Sequence, residues 1–221
     1  MPPSVEIFGI SIREPTTTIT DYLITAVSWW FAAKLVATTG SRQRRPQTLY
    51  GISFLFVGLA ALFGGTSHGF VLYMSDTARF FVWKGTIYAI GLSMLFAVAA
   101  TVLGSALQDG TRRAFQWCNV AAFALYATWM LDHSEFVFVI YHYGLAMLAV
   151  ASIQSWAFYR HRSASAPWLV AGVLITLLGA GIQQSGFSLH RQFNNNDLYH
   201  VVQIAGLYLL YRGAGLLRNS A

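Results

Sequence analysis

Residues 49–74 read LYGISFLFVGLAALFGGTSHGFVLYM, an unbroken run from Leu49 to Met74 without one Asp, Glu, Lys or Arg. A helix needs roughly 17–25 predominantly apolar residues to cross the hydrocarbon of a bilayer, so this stretch predicts a membrane span. Ala60 with Gly64 and Ala61 with Gly65 repeat small residues at four-residue spacing, which lets helix backbones approach closely. That spacing is read as packing. One titratable side chain, His68, lies near the end of the run, with glycines beside it that leave space.

Six other runs have the same character: about Ile19–Ala37, Phe80–Leu107, Ala114–Leu131, Phe136–Tyr159, Trp168–Gln184 and Leu198–Leu217. The 221 residues are 56% hydrophobic and 10% charged, whereas soluble domains carry about 25% charged residues. The expected fold is all-α: a polytopic membrane protein built as a seven-transmembrane-helix bundle. One domain covers 19–217, after a polar, extracytoplasmic tail at 1–18 and before a short cytoplasmic tail at 218–221. That first tail carries Pro2, Pro3 and Pro15 and reads as no cleavable signal peptide. The single Cys118 excludes a disulfide framework and a cysteine metal site.

A pI near 9.7 does not point to nucleic acid, because the basic residues fall in short loops between spans. Lys34, Arg42, Arg44, Arg45, Arg112, Arg113, Arg160, Arg162, Arg212 and Arg218 share one side. Arg13, Arg79, Lys84 and Arg191 share the other. Ten against four predicts N-terminus out and C-terminus in, in a multi-pass protein of the bacterial inner membrane. Lys84, a turn inside its helix, is expected to snorkel to water.

Polar chemistry gathers at the outer end. Five of the six histidines (His68, His133, His142, His190 and His200) and seven of the eight carboxylates fall there, and ionisable groups near hydrocarbon usually persist for chemistry or transport. Asp21, Thr25 and Ser28 sit at i, i+4 and i+7 on one helix face. Asp21 is read either as a helix cap or as the start of that inward stripe. Ser134 with Asp132 and Glu135 reads as the cap of span five. Asn196, His200 and Gln203 repeat the i, i+4, i+7 face in span seven, beyond what a cap at Asn196 or Asp197 requires. Zinc suits such a set, since imidazole and carboxylate bind it. Asp21 or Asp132 would serve as base or orient an imidazole.

The stretches Gly64-Gly65-Thr66-Ser67-His68-Gly69-Phe70, Phe193 to Gln203 and Leu209-Leu210-Tyr211-Arg212-Gly213 resemble a bacterial branch of the seven-span superfamily that includes the alkaline ceramidases and progestin–adipoQ receptors, often called CREST. The resemblance implies a zinc ion held by one histidine of span two and paired histidines of span seven, with a serine and an aspartate assisting amide hydrolysis. By position His68 and His200 match two ligands. Asn196 stands where the other span-seven histidine would be, so His142, His190 or an acid would complete the set. Ser67 is the serine nearest the family's position, which falls at Gly64. Asn196, Asp197 and Gln203 would surround the ligands.

Two functions therefore compete. One is a zinc-dependent hydrolase of a lipid amide or ester, with membrane lipids as partners. The other is a receptor, a pH or ligand sensor, or a membrane-complex partner, since histidines titrate near neutral pH. No particular protein partner is indicated. Haem ligation by His68 and His200 is a distant third. A retinal protein is excluded, because Leu198–Leu217 holds no lysine for a Schiff base.

Overall fold

Pro15 opens the first helix. Proline is favoured at a helix start, where its missing N–H would have had no partner, and α1 runs Pro15–Ala37. The start lies four residues earlier than the apolar run suggests, which carries Asp21 into the second turn and removes its role as a cap. The segment before it is not a plain tail: β1 (Ser4–Ile7) and β2 (Ile10–Arg13) pair as an antiparallel hairpin. Phe8 and Gly9 form its two-residue turn, both with positive φ, at 51° and 78°, as a tight hairpin requires.

The computed structural model describes residues 3–37, 44–190 and 193–219. Arg42 and Arg191, used in the orientation argument, lie outside the described residues. The remaining helices are α2 (Arg45–Gly69), α3 (Asp76–Leu103), α4 (Asp109–Asp132), α5 (Phe136–His161), α6 (Ala166–Ser185) and α7 (Asn195–Leu216). Each coincides with one apolar run. By length and composition α2, α3, α5 and α6 are able to cross a membrane; α1, α4 and α7 carry more polar residues and fall short of that measure.

Helices α1, α2, α3, α5, α6 and α7 pack side by side in that order, and α7 closes on α1. They form a ring. α4 stands outside it, packed on α3 and touching α5 through Tyr126, whose ring stacks on His142 at 4.3 Å. Two seams are drawn tight by glycine. A Cβ on Gly65 would lie 2.8 Å from the Asp21 Cβ, and one on Gly172 would lie 2.9 Å from the Leu210 backbone nitrogen. The small-residue spacing of the sequence thus does serve packing, and at Gly65 it also seats Asp21.

Candidate functional site

The floor of the site is α7. Asn194 caps it, accepting hydrogen bonds from the Asn196 and Asp197 backbone N–H groups at 2.8 and 3.4 Å. The Asp197 side chain answers by accepting from the Asn194 N–H at 2.7 Å, which completes a capping box. The same carboxylate accepts from the Thr17 hydroxyl at 2.8 Å, tying α1 to α7. Asp197 is fully buried. Its two oxygens therefore serve the fold.

One turn deeper, His200 points at α1. Its Nδ1 lies 2.8 Å from the Thr20 hydroxyl and its Nε2 lies 3.4 Å from Asp21 Oδ1. Thr20 has one proton and three possible acceptors, since the Thr16 and Thr17 carbonyls are each 3.0 Å away. Nδ1 either accepts from the Thr20 hydroxyl or donates to it. The Asp21 carboxylate and the imidazole lie within ion-pair range, and both residues are more than nine-tenths buried, where charges are screened little.

His68, on α2, donates from Nδ1 to Glu14 Oε2 at 3.1 Å and lies within electrostatic reach of Asp21 and Asp197. Glu14 sits just before α1, and this hydrogen bond is the main reason its carboxyl is held below the usual range. Glu14 and Thr20 were not among the sequence candidates. Glu14 lies outside the helix, with φ at 44°, so helical spacing carried no signal for it.

Beneath this polar end lies a cavity of about 320 Å³ inside the ring. Asp21, His68, Asn196, His200 and Gln203 line it at the polar end, and Tyr50, Phe54, Met94, Ala97, Met147 and Leu210 line its depth. Gly64 leaves room beside Asp21: a Cβ there would be 3.6 Å from Oδ2, an ordinary contact.

The other sequence candidates lie elsewhere. His142 faces away from the cavity into the crevice between α3, α4 and α5, stacked on Tyr126. Which side of α5 it occupies is decided by the placement of α4 outside the ring. His190 is exposed in the α6–α7 connection, where its backbone pairs with Phe193. His133 stacks on Trp129 at 4.0 Å, and Asp132 is exposed at the end of α4. Ser67 is half-buried on α2 and does not line the cavity described above. Ser134 makes no side-chain cap for α5; Glu135 occupies that position without a capping bond. Lys84 does not snorkel. It is buried and donates to the carbonyls of Met130, Leu131 and His133 at the end of α4.

Zinc can be tested against this geometry. Two ligands on one tetrahedral zinc, at bonds near 2.0–2.2 Å, stand roughly 3.3–3.6 Å apart, and Asp21 Oδ1 and His200 Nε2 are 3.4 Å apart. A catalytic site needs a third protein ligand, and among the described residues no three His, Cys, Asp or Glu side chains are grouped to hold an ion. Asp21 and His200 supply two such ligands by distance. The side chains themselves can accept and donate hydrogen bonds.

Fold and site together define a helical bundle, rich in membrane-competent helices, with a buried carboxylate–imidazole pair set over an apolar cavity. The chain belongs to the family described as Family of unknown function (DUF6962), which matches residues 16–219. Neither the curated proteins nor the solved structures contain a match.

Proposed function

We propose that this chain is a seven-span protein of the bacterial cell membrane that binds a single-chain lipid inside its helix ring, the polar end of the lipid resting against Asp21 and His200, and that it acts as a receptor or sensor of that lipid. One observation carries this reading: a largely apolar cavity lined along α7 from Asn196 to Leu210, with titratable groups gathered at one end, the layout of an amphipathic ligand. From Asn196 to Leu210 the α7 wall rises about 21 Å at 1.5 Å per residue. That is most of a hydrocarbon core of roughly 30 Å.

Counting α1, α4 and α7 as spans is supported by their outward faces. Ile19, Leu23, Trp29 and Trp30 of α1, Trp117, Leu125 and Trp129 of α4, and Val201, Tyr208 and Leu216 of α7 are exposed. In α1 and α7 the buried face instead carries Asp21, Thr25, His200 and Gln203, so their modest apolarity reflects the site they wall. The Lys and Arg distribution then sets N-terminus out and C-terminus in. A fluorescent-protein fusion at the C-terminus should mature inside the cell, and a periplasm-dependent phosphatase fused there should stay inactive; the reverse pair would overturn the orientation.

The binding claim is tested by extracting the protein in a mild detergent and identifying its retained lipids by mass spectrometry. About one single-chain lipid per chain is expected, lost in Ala61→Trp, which fills the cavity, while the variant still folds. A wild-type protein that carries no such lipid contradicts the reading.

A zinc-dependent lipid hydrolase is the second reading, favoured by the Asp21–His200 separation. Stoichiometric zinc in the purified protein, lost in His200→Ala, would promote it over the receptor reading. Metal-free protein that retains lipid would dismiss it.

A further inference from the structure

Gln203 lies one turn deeper than His200 on α7, in the cavity wall, and is 7% exposed. Its amide oxygen Oε1 is buried and has no hydrogen-bond partner among the described residues. Buried carbonyl oxygens are nearly always paired, and leaving one unpaired is costly.

We propose that the missing partner is the ligand: Gln203 Oε1 accepts a hydrogen bond from a hydroxyl or N–H group that the lipid carries at its polar end. The inference rests on the lipid-binding reading above and narrows it to a class of head group. The charges nearby select in the same direction. Asp21, Asp197 and Glu14 already place three carboxylates around two imidazoles at this end, so a fatty acid would add a fourth carboxylate and bring no donor. A bridging water is the competing partner for Oε1, and it predicts equal displacement by donor and non-donor head groups.

The test uses the full chain in detergent-free lipid discs, loaded with a pyrene-labelled single-chain lipid. Four competitors with one shared alkyl chain displace it: the primary alcohol, the primary amine, the methyl ether and the carboxylate. The alcohol or the amine should compete about tenfold better than the ether and the carboxylate, the factor that one buried hydrogen bond supplies. The alcohol against the amine tells a neutral donor from a cationic one. Gln203→Leu should bind alcohol and ether alike. Gln203→Met, closer in length to the native side chain, should do the same and covers the case in which Gln203→Leu does not fold. Equal displacement by alcohol and ether in the wild type, or an unchanged preference in both variants, overturns the inference while leaving lipid binding intact. A wild-type protein that never takes up the probe overturns lipid binding and this inference with it.

Discussion

Lys84 is the residue whose environment departs furthest from expectation. Its ammonium group is buried and donates to the last carbonyls of α4, with Glu135 in electrostatic reach. Those carbonyls lack partners within the helix and form the negative end of its dipole. Lys84→Met should therefore cost about 2 kcal/mol, the scale of a hydrogen bond to a charged group. The loss should be local, visible as faster amide exchange over residues 128–133. Exchange unchanged there would remove the capping role. Glu14 gives a prediction in pH. Its folded-state pKa lies below its unfolded value because His68 donates to it, so its contribution is complete above the ordinary carboxylate pKa of about 4.3 and fades as pH falls through the lower folded value. A fluorophore on the hairpin at position 8 should stay ordered from pH 7 to pH 5 and gain mobility only below about 4. Mobility gained near pH 6 would contradict this. Glu14→Gln should abolish the transition.

At the scale of elements, all seven helices were legible, because a run of apolar residues that long has few other solutions. Their ends were less so. Pro15 outweighed the polarity of Thr16 to Thr18 and started α1 early, which decided between a cap and an inward stripe for Asp21 in favour of the cavity wall. The Asn196, His200 and Gln203 face was correctly read as inward, since a helix face follows from spacing alone. His142 was harder. Its depth was readable, but its direction depended on α4 leaving the ring, a tertiary choice that periodicity does not encode. The glycine seams can be tested directly. Gly172→Ala would place its Cβ 2.9 Å from the Leu210 backbone nitrogen, where only separation of α6 from α7 brings relief, so it should cost about 1–3 kcal/mol. Gly181→Ala on the same helix meets nothing within 4 Å and should be close to neutral. A denaturation midpoint equally lowered by both would refute a specific seam.

For the molecule as a whole, six helices ring the cavity and α4 is carried outside. That arrangement separates the titratable groups into those that meet, Glu14, Asp21, His68, Asp197 and His200, and those left on the rim or in the outer crevice, His133, His142 and His190. The cluster expected at the outer end of the bundle thus resolves into a compact polar cap over an apolar hollow, and the hollow was not visible from residue spacing. The most direct measurement is an experimental density map of the protein in lipid discs. Continuous chain-like density should run from Asp21 and His200 down to Leu210 and Tyr50, with its polar end within hydrogen-bonding distance of Gln203. A ring collapsed onto itself, or a file of discrete water peaks in place of that density, would contradict it.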